Sequence, residues 1–141
     1  MAPLFQTRCR VEFCHTDMVG IVHFTSFFAF MEAAEHAFLR HLGLNVFMEV
    51  DGQQISWPRV AAACDYHAPA RFEDQLDIGV SVSEMAQRSV SYEFAIERDG
   101  TRLATGRMTC VCCHVRPGEP PRSIPIPELI ARKLRGAMEG P

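Results

Sequence analysis

Residues 15–26 read His15-Thr-Asp17-Met-Val-Gly20-Ile-Val-His23-Phe24-Thr25-Ser26, and this is the stretch whose residue types are best suited to chemistry. It precedes a long apolar helical pattern, so it is a loop aimed at a helix N-terminus. Such a terminus presents unpaired backbone N–H groups and a partial positive charge, a fitting place for a carbonyl oxygen becoming an anion. Asp17 lies upstream, where its carboxylate can attack a bound electrophile or activate water. Gly20 lets the backbone turn tightly or approach a ligand closely. Together these parts are a kit for acyl transfer. The plainer reading makes Asp17 a turn former and Gly20 a loop shaper.

The elements around the loop are legible from periodicity. Arg8 to Phe13 alternates, with Cys9, Val11 and Phe13 on one face, and predicts a half-buried strand. From Phe27 to Leu42 the apolar residues recur every three or four positions: Phe27, Phe30, Met31, Ala34, Phe38 and Leu42. Phe28, Ala33, Ala37 and Leu39 widen that face, leaving Glu32, Glu35, His36 and Arg40 as a polar strip. A helix of such girth must be covered on most sides. Ser26 or Thr25 is placed to cap its start and Gly43 its end. Strands follow over Trp57–Tyr66, around Leu76–Val82 and Val90–Ile96, and from about Arg102 to Val115, with Asp99-Gly100 as a hairpin turn. Pro117, Pro120, Pro121, Pro125 and Pro127 are expected to end strand pairing, and Pro127 to open a short last helix through Arg135. The order predicts one α+β domain over residues 1–141, a single long helix lying in the concavity of a five-stranded antiparallel sheet joined as a meander.

Composition narrows the function. With 141 residues, 48% hydrophobic and 22% charged, the chain can bury a core without a disulfide or metal staple. Fourteen basic against seventeen acidic residues give a net charge of -3, which argues against a nucleic-acid face. The start, Met1 to Arg8, has no basic head and apolar core, and no signal peptide is expected. The longest uncharged stretch, Met18–Met31, falls short of the roughly 18 residues of a membrane span. The six cysteines are expected to be reduced and the address cytoplasmic. Cys110-Val-Cys112-Cys113-His114 lacks the paired gaps of a zinc site and reads as structural thiols. No metal is expected.

The pattern Asp17-x-x-Gly20-Ile-Val-His23-x-x-x-Phe27-x-x-Phe30-x-Glu32-x-Ala34 resembles the signature of the 4-hydroxybenzoyl-CoA thioesterase-like branch of the hotdog-fold thioesterases. Asp65-Tyr66-x-x-Pro69-Ala-Arg71-x-x-Asp74 and Leu103-Ala-Thr-Gly106 continue the resemblance in the same order. It implies a hotdog domain that hydrolyses acyl-CoA without a metal or redox cofactor. Asp17 is then the nucleophile or general base. Backbone N–H groups from His23 through Phe24 to Thr25 polarise the thioester carbonyl, and Gly20 shapes the loop. It also implies a pocket between subunits, hence a homodimer; nothing in the sequence decides between that and a homotetramer. The chain departs from the family pattern at His23, Phe27 and Glu35, where Tyr, Tyr and Arg are usual. His23 can hydrogen-bond the substrate or replace a packing aromatic. Trp57 is a candidate wall of the acyl pocket. Arg59, Arg71, Arg88, Arg107 and Arg122 suit CoA phosphates, with Arg88 preferred beside a strand turn. Asp74 reads as a turn or register residue. The alternatives are a hotdog hydratase using Asp17 and His23 as an acid–base pair, and a non-catalytic acyl-CoA-binding domain. Gly20-Ile-Val in place of the hydratase Asn-Pro favours hydrolysis.

Overall fold

In the computed structural model, which describes residues 5–139, the chain opens with β1 (Phe5–Arg10) and a single 3-10 turn (Phe13–His15). The long helix α1 (Ser26–His41) comes next, followed by β2 (Met48–Val50), β3 (Gln53–Ser56) and β4 (Arg59–Tyr66). Then come β5 (Gln75–Met85), β6 (Ser89–Arg98), β7 (Thr101–Val111), β8 (Cys113–His114), β9 (Arg122–Ser123) and α2 (Glu128–Glu139). Met1–Leu4, part of the stretch in which no signal is expected, lie outside the described residues. Among the described residues no helix is long and apolar enough to cross a membrane.

Strict alternation makes β5, β6 and β7 the centre of an antiparallel sheet ordered β1-β5-β6-β7-β4. Ile78, Val80, Phe94, Ile96 and Leu103 are all essentially inaccessible. Against them α1 buries Phe27, Phe30, Met31, Ala34, Phe38 and Leu39, each large side chain contributing about 1.5–3 kcal/mol. Only β5 to β7 form a meander. β4 crosses to the far side and pairs with β7, because Pro69 to Asp74 carries the chain across instead of reversing it.

The expectation of one sheet is corrected. A second sheet, ordered β2-β3-β8-β9, joins the five-stranded one, while α2 is the last helix expected after Pro127, running on to Glu139 past the expected end at Arg135. Together they complete an α+β, hotdog-like architecture. The strand expected to run to Val115 breaks at Cys112, whose N–H turns to the Arg88 carbonyl at 2.7 Å. Arg122–Ser123 then pairs with Cys113–His114 despite the prolines around it. Phe13 is a further correction. Alternation stops with Val11, and Phe13 is 79% exposed on the 3-10 turn.

Neither hydroxyl caps α1 as expected. Thr25 occupies the N-cap position without a side-chain cap bond, and the Ser26 hydroxyl donates to the His15 carbonyl at 3.0 Å. The other end closes as expected at Gly43. Leu44 N–H reaches the Leu39 carbonyl at 2.8 Å, Gly43 N–H reaches that of Arg40 at 3.0 Å, and Lys133 Nζ from α2 binds the Leu42 carbonyl.

At Gly106 on β7 a side chain of α1 packs directly over the sheet backbone. A Cβ added there would collide with Met31 Sδ, and the Met31 side chain is fully buried. Gly106→Ala is therefore expected to destabilise the fold by about 1–3 kcal/mol through overpacking, read as a lower urea midpoint.

Candidate active site

The loop before α1 is a small hairpin. Asp17 N–H donates to the Ile21 carbonyl, Gly20 N–H to the Asp17 carbonyl and His23 N–H to the His15 carbonyl, all at 2.8–3.0 Å. Thr16 and Val22 pair between the arms. The turn is closed by a left-handed residue, and Gly20 supplies it with φ of +90°. A Cβ at Gly20 would meet nothing within 4 Å. Turn geometry therefore explains this glycine without any close approach. The Val22 N–H anchors the hairpin to the Ala70 carbonyl at 2.8 Å.

Asp17 is held at the tip. Its Oδ1 accepts the Val19 N–H at 2.9 Å, while Oδ2 has no hydrogen-bond partner among the described residues. The carboxylate lines an open cleft of about 420 Å³ together with Phe13, Thr16, Met18, Gly20 and Phe72. The rings of Phe13 and Phe72 meet edge to face, with centroids 6.1 Å apart. The cleft is thus apolar apart from its carboxylate and one hydroxyl.

At the helix start the peptide groups are fixed one by one. The His23 carbonyl accepts the Ser26 N–H at 2.9 Å. Because a trans peptide sets N–H opposite C=O, the Phe24 N–H of that same peptide points away from the helix. It has no hydrogen-bond partner among the described residues. The Phe24 carbonyl accepts from the Tyr66 hydroxyl at 2.9 Å. Burial pushes the Tyr66 hydroxyl above its ordinary value, so it stays a donor. Thr25 places its hydroxyl 2.7 Å from His23 Nδ1, and the rings of His23 and Phe24 stack.

Asp17, Gly20, His23, Phe24 and Thr25 therefore belong to one hairpin and helix start. Of these only Asp17 and Gly20 line the cleft; His23, Phe24 and Thr25 do not, and neither do Trp57 and Arg88. Trp57 is buried in the core at 6% exposure, and Arg88 donates through Nη1 to the Ser123 carbonyl at 2.8 Å, tying down β9. Arg59 is similarly occupied, bound to the Trp57 carbonyl, Cys110 and Glu35. Asp74 is the turn residue expected, bonding the Arg71 N–H and Arg98. Three residues of the site had no assigned role in the sequence: Tyr66, Phe72 and Phe13. Tyr66 lies within a recognised motif, but its reach to Phe24 across 42 positions has no local signal.

The cysteine run disperses. Cys110 faces Glu35 and Arg59, Cys112 enters the core, and His114 is bound to Gln54 and Arg116. Burial pushes the Cys110 thiol up to about 12, with the nearby Glu35 adding to the rise.

One long helix on a curved antiparallel sheet, with a carboxylate-bearing hairpin leading into the helix, is the frame of a hotdog-like acyl-transfer protein. Residues 11–134 match the family model of the Thioesterase-like superfamily, and the chain belongs to that superfamily. It is 27% identical over 125 residues to the acyl-CoA thioester hydrolase YbgC of Escherichia coli O6:H1, covering 86% of this chain and 92% of that one. The solved structure of BH1999, a gentisyl-coenzyme A thioesterase, superimposes with a TM-score of 0.81 at 28% identity, covering 92% of this chain and 99% of that one. Slr0204, a 1,4-dihydroxy-2-naphthoyl-CoA thioesterase from Synechocystis, shares the fold with a TM-score of 0.84 at 20% identity, covering 97% and 98% of the two chains.

Proposed function

We propose that the protein is an acyl-CoA thioesterase that hydrolyses its substrate to free acid and CoA, with Asp17 as nucleophile or general base. The observation that carries this reading is the pairing on one short loop of a carboxylate with a free oxygen and an unpartnered, rigidly held Phe24 N–H. An amide preset in this way stabilises the oxyanion of a tetrahedral intermediate without reorganising during the reaction. Attack by Asp17 would give an acyl-enzyme anhydride that water then cleaves. General-base action would instead deliver hydroxide from water to the carbonyl. In both routes CoA leaves as the thiol. Superfamily membership and thioesterase relatives support the same activity. An enoyl-CoA separates hydrolase from hydratase: the hydrolase releases free thiol, whereas a hydratase bleaches the conjugated absorbance and leaves the thioester intact.

The working unit in this reading is a homodimer. The sheet has two edges, and they differ. β1 carries Arg8 and Arg10 on its exposed face, a charged protection against edge pairing. β4 instead exposes Val60, Ala61, Ala62 and Ala63. Beside it Ala29, Glu32 and Ala33 form an exposed stripe of α1, of which the sequence places Ala33 on the covered face. A two-fold pairing of β4 with its copy would bury the edge and the stripe together. Apolar Phe13, Met18, Val19 and Phe72 around Asp17 stand exposed as a further surface for a partner chain. Sedimentation across a dilution series should show a dimer, or a tetramer built from it, with specific activity falling as it dissociates. A fully active monomer at high dilution would contradict the shared pocket.

A further inference from the structure

His23 stands where the family pattern has a tyrosine, and its ring makes a bond that tyrosine could not accept in the same way. Nδ1 lies 3.2 Å from the Thr25 N–H and 2.7 Å from the Thr25 hydroxyl. A backbone N–H can only donate, so Nδ1 is the acceptor and the neutral ring carries its proton on Nε2. The imidazole thereby satisfies the N–H of the N-cap residue Thr25 itself, a different group from the next-turn amides that a Thr25 hydroxyl cap would have bonded. Two adjacent amides at this helix start, those of Phe24 and Thr25, would otherwise both be open to a carbonyl oxygen. The ring occupies the second of them.

We infer that His23 is a positioning residue: its neutral ring holds the Thr25 N–H so that the Phe24 N–H alone is presented to the thioester oxygen. The inference rests on the thioesterase reading and deepens it. The fixing of the Phe24–Thr25 peptide is two-sided, with the Tyr66 hydroxyl on its carbonyl and the His23 ring on its N–H. A second proton on the ring would put N–H against N–H at Nδ1. The peptide would then be released on that side, and the Phe24 amide with it. Protonating His23 is therefore coupled to the oxyanion site without His23 touching the substrate. The titratable groups around it are His15, paired with it across the hairpin, Asp17 further along the same loop, and Tyr66 of β4. His15 Nδ1 accepts the Glu12 N–H at 2.8 Å, which gives it the same tautomer by an independent bond.

The test combines nitrogen NMR of the imidazoles with the pH profile of kcat/KM for the best acyl-CoA. Wild-type His23 should show its neutral proton on Nε2. His23→Asn, whose Oδ1 stands near the Nδ1 position, keeps an acceptor that cannot take up a proton, so its profile should differ from that of wild type on the acid side. His23→Phe keeps an aromatic ring beside Phe24 but has no acceptor. It should lower kcat about 10- to 100-fold with little change in KM, and His23→Asn should recover much of that loss. A neutral proton found on Nδ1, or superimposable profiles for wild type and His23→Asn, would overturn the inference. The tautomer measurement needs no substrate. It judges the cap even if wild type hydrolyses no acyl-CoA, the outcome that would overturn the thioesterase reading.

Discussion

Asp17→Asn is expected to lower thioester hydrolysis on the order of 10²-fold or more while the protein stays folded. The asparagine Oδ1 can still accept the Val19 N–H that Asp17 Oδ1 accepts at 2.9 Å, so the hairpin turn survives. What disappears is the second oxygen, replaced by an NH₂ that can neither attack nor take a proton. Stability should change by less than about 1 kcal/mol, as for other partly exposed loop substitutions. Asp17→Ala makes the useful contrast, because it removes the turn bond and the chemistry together. Steady-state kinetics with urea unfolding on both variants separates the two roles. A folded Asp17→Asn protein with wild-type turnover would move catalysis elsewhere.

The loop proposed to carry this chemistry was legible because its signals are local. An acid, a glycine three positions later and a long apolar helix immediately after are read within a dozen residues. The helix and the three central strands were legible for the same reason, as periods of 3.6 and 2 are properties of short windows. What the sequence did not disclose depends on distant partners. β4 pairs with β7 instead of β5, and no local pattern encodes that choice. Arg88 looks like a free cation in a turn until β9 folds back onto it. Phe13 continues an alternating pattern by one step beyond the end of its strand. Glu35 is the largest departure, since helical spacing assigns it to the polar strip.

Glu35 is 1% exposed, bound to Arg59 at the start of β4 and to the Cys110 thiol. Glu32 and His36 flank the pair at 3.7 Å from Arg59 and Glu35 respectively. Burial pushes the Glu35 carboxyl above the usual carboxylate range, and the Arg59 guanidinium pulls it partly back. The same carboxylate holds Arg59 more firmly protonated, against the cost of its own burial. Both shifts fit a pair that is charged but insufficiently solvated, with burial the larger influence on Glu35. Removing Arg59 leaves the carboxylate inside without a counter-charge. Arg59→Ala is therefore expected to cost about 3 kcal/mol at neutral pH, the low end for a buried pair because the Arg59 side chain is still 25% exposed.

The sign of its pH dependence follows. A carboxyl whose folded pKa is raised contributes stability that is complete below its unfolded value and is lost as pH rises through the folded one. Without Arg59 the carboxyl moves higher still. The Arg59→Ala penalty should therefore shrink in acid, where Glu35 is neutral, and reach its full size at neutral pH. Replacing both residues by methionine should cost less than Arg59→Ala alone. His36 runs the opposite way. Burial lowers its pKa, so its contribution is present above the ordinary histidine value and is lost as pH falls through the folded one. Urea midpoints from acid to neutral pH for wild type, Arg59→Ala and Glu35→Gln test these signs. A penalty for Arg59→Ala that grows in acid would reverse the argument.

The central claim is hydrolysis of an acyl-CoA at Asp17, and the most direct measurement is release of free thiol by the wild-type protein from a panel of aromatic, short-chain and branched acyl-CoAs. The account predicts that at least one thioester yields CoA and free acid in equal amounts, with turnover that Asp17→Asn lacks. Retention of acyl-CoA by the folded protein with no thiol released from any member would contradict it, and would favour a binding domain.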